Sequence, residues 1–363
     1  MSSSPSTTAT VLVTGGSGYV GSHCVLSLLE HNYRVIVIDN LVNSVQLDNC
    51  PLPESLKRVE EITGKRLVKF YNTNIENAET MEKIFQEHSP IDVVMHFAAL
   101  KAVAESISKP LLYYQNNVIG SIALLAMMDK FNVKKFIFSS SATVYGVPEY
   151  LPLDEKHPIG RSCANPYGRS KFMVEQILED LCRSQPELSV ISLRYFNPVG
   201  AHESGRIGED PSDIPNNLMP YITQVATKRR PYLQVYGNDY ETEDGTPIRD
   251  YIHITDLTTG HIAALREILN DSSSWNGYHP INLGTGVGST VLQVIAAFEK
   301  VSGVHIPYKV VGRRAGDLCT LYADAQLAQI RLGWKATHTL EEMCSSAWNW
   351  QSNNPNGYRQ YST

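Results

Sequence analysis

Over about the first 200 residues, short apolar runs closed by turn residues alternate with longer segments whose apolar positions recur at helical spacing. Residues 11–14, 34–39, 68–72, 93–97, 135–139 and 190–195 read as strands. Most are nearly continuous Val, Ile and Phe, the texture of strands covered on both faces. Helical patterns occupy 22–30, 79–88, 102–130 and 170–183. This β-α-β rhythm predicts an α/β protein built on a doubly wound parallel sheet. Beyond Asn197 prolines and glycines cluster through 202–220 and 237–247, which predicts a smaller, loop-rich C-terminal α/β domain set on the sheet. The expected division is a disordered tail at 1–10, a dinucleotide-binding Rossmann domain at 11–196, and a substrate-binding domain at 197–358 interleaved with the sheet.

Composition removes several classes of function. The 363 residues carry a net charge of −6 with their basic groups scattered, which argues against a nucleic-acid partner. Cys24, Cys50, Cys163, Cys182, Cys319 and Cys344 lie far apart, with no Cys-x-x-Cys pair and no histidines at ligand spacing. Neither a metal site nor a disulfide framework is indicated, and the thiols read as reduced in a cytoplasmic protein. Residues 110–128 are uncharged and nearly long enough to cross a bilayer. Gln115, Asn116, Asn117 and the opening proline favour a buried helix instead, so no membrane association is expected. The first ten residues lack the basic start and apolar core of a signal peptide and the arginine of a transit peptide.

The first chemical motif follows the first predicted strand, where Gly15, Gly18 and Gly21 lead into a helix. Glycines there permit a tight turn, close approach to a pyrophosphate and close packing of helix on strand, while the helix N-terminus offers free N–H groups. The spacing is G-x-x-G-x-x-G, unlike the usual G-x-G-x-x-G, and a glycine triplet alone says little. The next strand, however, ends at Asp39, eighteen residues past Gly21. A carboxylate at that place accepts hydrogen bonds from the adenosine ribose and repels a 2′-phosphate, favouring NAD over NADP. A second glycine set, Gly284, Gly286 and Gly288, has no later acid and no following β-α-β unit, and reads as a structural turn lining the cleft.

Tyr167 and Lys171 stand at i and i+4, on one helical face. A tyrosine with its ordinary pKa near 10 is only roughly 0.1% ionised at pH 7. A nearby cation, joined by a positively charged nicotinamide ring, can lower that pKa by about 3 and so make the phenol a base for a sugar hydroxyl. Ser139, Ser140, Ser141 and Thr143 crowd hydroxyls at the end of a strand, the edge of a parallel sheet where substrates bind.

In this order the motifs resemble the extended short-chain dehydrogenase/reductase family, and within it the UDP-hexose 4-epimerase branch. The resemblance runs from about residue 11 to 357, through Asp39-Asn40-Leu41, His96-Phe97-Ala98, the serines to Gly146, Pro166 to Lys171, Arg194-Tyr195-Phe196-Asn197-Pro198, and segments 215–220, 245–253 and 313–317. It implies interconversion of UDP-galactose and UDP-glucose: NAD takes hydride from sugar carbon 4, the 4-keto sugar turns over, and hydride returns to the opposite face. By position it implies Tyr167 as acid/base, Lys171 as the residue that tunes it and holds the nicotinamide ribose, and Ser141, with Thr143 beside it, on the reacting hydroxyl. For the coenzyme it implies Gly15, Gly18, Tyr19, Val20, Gly21, Asp39, Asn40, Asn43 and Ser44. Asn74 and Ile75 come at the adenine, and Phe97, Ala98, Lys101, Asn116 and Tyr195 along the wall. For the substrate it implies Lys101, Phe196, Asn197, Asn217, Leu218 and Tyr236, with Arg249 and Arg314 clamping the diphosphate and Asp317 on the uridine ribose.

Some positions depart from the family pattern. Ala99 and Ala104 replace glycines, and Tyr236 stands where phenylalanine is common. Leu321 replaces a bulkier tyrosine of bacterial forms, which is the basis for expecting turnover of N-acetylated UDP-hexosamines as well. The resemblance also implies a homodimer pairing through 102–130 and 170–183. Phe172, Met173, Ile177, Leu178 and Leu181 face either a partner or the parent sheet, and periodicity does not divide them. Two alternatives have sequence discriminators. A nucleotide-sugar 4,6-dehydratase needs an acid pair where this chain has Ala142 and Thr143, and a non-catalytic dinucleotide sensor typically loses the tyrosine and lysine that are present here.

Overall fold

The computed structural model describes residues 8–359 except 49, 212–213, 271–272 and 315. Of the tail expected at 1–10, residues 1–7 lie outside the described residues, and Thr10 already opens the first strand. The first unit runs β1 (Thr10–Thr14), α1 (Tyr19–Glu30), β2 (Arg34–Asp39), α2 (Glu54–Thr63), β3 (Lys69–Asn72), α3 (Ala78–Glu87), β4 (Val93–His96), α4 (Val103–Ser108), α5 (Pro110–Tyr113), α6 (Gly120–Lys130), β5 (Lys135–Ser141), α7 (Pro166–Ser184) and β6 (Ser189–Tyr195). The chain continues through β7 (Asn197–Val199), α8 (Leu218–Ala226), β8 (Leu233–Tyr236), β9 (Ile248–His253), α9 (Ile254–Asn270), β10 (Gly277–Leu283), β11 (Gly288–Thr290), α10 (Val291–Ser302), β12 (Tyr308–Val311), β13 (Thr320–Leu321), α11 (Gln326–Leu332) and α12 (Leu340–Asn353).

Seven parallel strands form one sheet in the order β10-β6-β5-β4-β1-β2-β3. Alternate residues of each central strand feed two cores. Val11, Val13, Val37 and Met95 pack with Leu28 of α1 and Leu265 of α9. Leu12, Ile36, Val94 and Phe136 pack on the other face with Phe85 of α3, Leu124 of α6 and Leu178 of α7. Burial on both faces is why these strands read as unbroken apolar runs. The strand order reverses between β1 and β4, and in such sheets the crevice above that reversal binds ligands. The C-terminal half supplies a small sheet, β11-β9-β13 with β7 on β9, and a β12–β8 pair, yet it also returns β10 to the edge of the main sheet.

Two expectations are corrected, and the faces of α7 left open by periodicity are divided. The helix expected at 102–130 is broken into α4, α5, a π-helical turn at Tyr114–Ile119, and α6. Pro110 cannot continue a helix from behind and starts a new one as its first residue. The glycine turn at 284–288 does not line the cleft. It wraps the buried Asp250 carboxylate, which accepts hydrogen bonds from the backbone N–H of Thr285 (2.9 Å), Gly286 (3.0 Å) and Ala323 (3.1 Å). On α7, Leu178 is buried against the parent sheet while Met173 is exposed. Among the described residues no helix is long and apolar enough to cross a membrane.

Candidate active site

A cleft of about 1610 Å³ opens over the C-terminal ends of β1, β2, β4, β5 and β6 and is walled on its far side by the second half of the chain. All the candidate residues named from the sequence line it. On the sheet side the loop after β1 is folded so tightly that a side chain on Gly21 collides with the Gly15 carbonyl. Gly15 (φ +70°) leaves its Cβ position 2.5 Å from the Ala98 nitrogen. Gly18 differs, since the nearest atom to its Cβ position lies 3.5 Å away. Packing does not require a glycine at Gly18, whereas a pyrophosphate pressed against the backbone does. The buried Ser17 hydroxyl beside it has no hydrogen-bond partner.

Asp39 ends β2 with its carboxylate fixed by two backbone donors, Ser17 N–H at 3.0 Å and Leu41 N–H at 2.8 Å. Both oxygens keep lone pairs for a ribose diol. The Asn40 amide donates to Asn74 Oδ1 at 2.7 Å, joining the loops after β2 and β3, where Asn43, Ser44 and Ile75 also border the cleft. These residues fit a dinucleotide.

Tyr167 and Lys171 face the cleft from the start of α7, whose first turn is fixed by Pro166 and by the Asn165 side chain accepting from Gly168 N–H at 2.8 Å. The buried Lys171 ammonium donates to the Ser139 carbonyl at 2.6 Å and lies 4.8 Å from the Phe138 ring centre. Thr143 donates its hydroxyl to Ser141 Oγ at 3.0 Å. Burial pushes the Tyr167 phenol above its ordinary pKa, and the neighbouring Ser141 hydroxyl offsets part of this. Burial also lowers Lys171 to about 7, with Glu175 opposing the shift. The expected lowering of Tyr167 is thus not a property of the protein alone.

The opposite wall is built from side chains that already hold one another. Arg249, from β9, pairs with Asp317 and donates to the Ile248 carbonyl. Arg314 lies over the Tyr236 ring at 4.7 Å, and the Tyr236 hydroxyl donates to Gln234 at 2.8 Å. Asn217 stands at the N-cap of α8 but makes no capping bond, its amide donating instead to Glu209 at 3.0 Å. Lys101 donates to the same Glu209 oxygen at 2.8 Å, and the Tyr19 hydroxyl crosses from α1 to the Gly200 carbonyl at 2.7 Å. Leu321 is buried with Phe196 in a small cluster at the cleft floor.

Sequence reasoning missed Glu209, a loop carboxylate with no motif around it, and Asn117 in the π-helical turn. The Asn117 amide donates to Leu100 O and Ser170 Oγ, both at 3.0 Å, tying the loop after β4 to α7. The uncharged Gln-Asn-Asn run in a helical segment was the available signal.

A parallel sheet whose glycine loop, strand-end acid and Tyr-x-x-x-Lys helix share one crevice defines the extended short-chain dehydrogenase/reductase class. The chain matches the family model described as GDP-mannose 4,6 dehydratase over residues 12–347. It is 56% identical over 349 residues to a UDP-glucose 4-epimerase of Drosophila melanogaster, covering 96% of this chain and 98% of that one. To the Homo sapiens UDP-glucose 4-epimerase it is 54% identical over 348 residues, again 96% and 98%. The crystal structure of UDP-glucose 4-epimerase from Bifidobacterium longum in complex with NAD+ and UDP superposes with a TM-score of 0.90 at 50% identity, covering 96% of this chain and 100% of that one. The chain belongs to the UDP-glucose 4-epimerase family.

Proposed function

We propose that this cleft interconverts UDP-galactose and UDP-glucose, with NAD as coenzyme. The observation that carries the reading is one cleft lined by the dinucleotide-fitted loop, by Tyr167 beside Ser141 with Lys171 on the adjoining Ser139 carbonyl, and by Arg249 and Arg314. Bound NAD would supply the hydride acceptor, and then the hydride donor, for sugar carbon 4. Tyr167 removes the proton of the 4-hydroxyl and later returns it, Ser141 holds that oxygen by a hydrogen bond, and the Lys171 charge favours the phenolate. Gly18 and the free N–H groups of α1 receive the pyrophosphate, and Asp39 the adenosine ribose. Arg249 and Arg314 exchange their present partners for the substrate diphosphate, Asp317 turns to the uridine ribose, and Asn197, Asn217 and Leu218 border the nucleotide. That anchorage lets the keto sugar turn over without leaving. Residues 11–196 thus serve mainly the coenzyme and 197–358 the nucleotide sugar.

Ala142 and Thr143 offer no acid to expel a 6-hydroxyl, which separates this chain from a dehydratase despite the name of the matching family model. Leu321 leaves more room beside the sugar than a tyrosine, so UDP-N-acetylgalactosamine is a second substrate. Leu321→Tyr should remove that activity and spare UDP-galactose, and equal loss of both would refute the assignment. A homodimer completes the reading, supported by Leu111, Leu112, Ile119, Ile122 and Met173, exposed on α5, the π-helical turn, α6 and α7, and the free cysteines suit a cytoplasmic location.

The test is to incubate the protein with UDP-galactose, without and then with added NAD, following products by NMR and absorbance near 340 nm. UDP-glucose formed without accumulated NADH is the expected result. No product with NAD present, or a 4-keto-6-deoxy sugar, overturns it.

A further inference from the structure

Behind the catalytic helix, outside the cleft, lies a carboxylate that the chemistry above does not use. Glu175 sits one helical turn beyond Lys171 and is completely buried. One of its oxygens accepts from the Ser140 hydroxyl at 2.5 Å and from Arg194 Nε at 3.1 Å, and the other from Arg194 Nη2 at 2.7 Å. Ser140 and Arg194 are directly opposite one another in the β5–β6 register. Ser140 also lies between Ser139, whose carbonyl takes the Lys171 ammonium, and Ser141 at the reacting oxygen. Arg194 continues the chain of bonds to the Tyr145 hydroxyl at 3.1 Å, which donates to Asn282 on β10 at 2.7 Å.

Resting on the function proposed above, we infer that Glu175 is a positioning residue for the catalytic lysine. Through Ser140 it locks the strand end to the helix, and its charge opposes the loss of the Lys171 proton that burial favours. A buried ion pair is weak evidence for stability, because well-packed apolar groups of the same volume do as well. The pair needs another account, and its distance along the helix from Lys171 supplies one. Of the titratable groups on the other elements, His96 on β4 acts on Lys171 itself, while Tyr113 on α5 and Tyr195 on β6 act on Tyr167, one turn before Lys171 on its own helix. Burial holds His96 neutral by lowering it to about 3 and raises the three phenols, so none of them supplies a negative charge near neutral pH. Glu175 supplies it, and Arg194 on its far side prevents it from being a lone buried anion.

The experiment titrates Lys171 directly, by NMR of protein labelled at lysine Cε, beside the pH profile of turnover; Lys171→Met assigns the signal. Glu175→Gln keeps the shape and removes the charge, and is expected to lower the Lys171 midpoint and the alkaline limb of turnover by roughly 1 pH unit or more. Arg194→Met leaves Glu175 unbalanced and moves both upward. A purely structural role predicts lost activity without opposite shifts. Because Glu175→Gln strands a buried guanidinium, the double variant Glu175→Gln/Arg194→Met is measured too. It removes both charges, the nearer being the anion, so its midpoint also falls. A Lys171 midpoint within about 0.3 of the parent in every variant that folds overturns the inference. The NMR titration stands even if UDP-galactose proves not to be the substrate, so the two readings fail separately.

Discussion

The two walls of the cleft are made of different material. The side proposed for the coenzyme is main chain: glycines whose missing side chains set the fold of the loop, N–H groups at the start of α1, and a carboxylate clamped by two backbone donors. The side proposed for the nucleotide sugar is long side chains held by one another, Arg249 on Asp317, Arg314 on Tyr236, and Asn217 on Glu209, which Lys101 reaches from the facing wall. A wall of backbone is formed once the chain folds. A wall of exchangeable pairs can release its partners to a ligand and recover them afterwards, which suits a site that grips its substrate and then lets the product go.

The largest effect that bears on this contrast comes where the walls meet. Tyr167→Phe should reduce turnover by about 10² to 10⁴-fold while leaving coenzyme affinity unchanged in a binding titration. Retained turnover would place the acid/base elsewhere. Next, Arg249→Met or Arg314→Met should raise KM for UDP-galactose roughly 10- to 100-fold, the loss of one charge-assisted bond pair, with little change in melting temperature. A comparable loss of coenzyme affinity would erase the distinction between the walls. On the other side, Gly21→Ala should destabilise the fold by about 1–3 kcal/mol in denaturant titrations. Gly18→Ala should leave stability nearly unchanged and weaken dinucleotide binding, and equal behaviour of the two variants would contradict the reading of the loop.

The smallest effect concerns pH. Burial lowers His23 and His96 to about 3 and His253 and His261 to about 4, below the ordinary 6.5. The folded form therefore refuses protons that the unfolded chain accepts. Stability is fully present above about pH 6.5 and falls with acid, by up to about 1.4 kcal/mol per site per pH unit. Burial raises the carboxyls of Glu155, Asp210 and Asp250, which act with the opposite sign from the ordinary carboxyl range upward. Melting temperatures at pH 7 and pH 5 check the window where the histidines dominate, and a higher value at pH 5 would refute it.

Much of the sheet is legible in the chain because its strands are buried on both faces, and β2 falls on 34–39, as the apolar run indicates. The helix at Glu54–Thr63 escapes the same reading, because Glu54, Arg58 and Glu60 take buried positions that apolar residues usually hold. Glu54 pairs with Arg58 at 2.8 Å, and the guanidinium lies over the Tyr358 ring at 5.1 Å. The pieces of the site that follow backbone rules, Gly15 to Gly21, Asp39, and Tyr167 with Lys171, can be located by spacing. Arg249, Arg314 and Glu209 cannot, since their neighbours are set by the tertiary fold and the loops around them carry no period.

The return of β10 to the edge of the main sheet has a consequence for how the protein is made. Residues 277–283 pair with β6, so during synthesis the N-terminal half has β6 as an open edge for some eighty residues of further translation. Unpaired strands of this kind template association with other chains. A protein cut after Phe196 keeps that edge permanently, and a nascent chain needs it covered until Leu283 has left the ribosome.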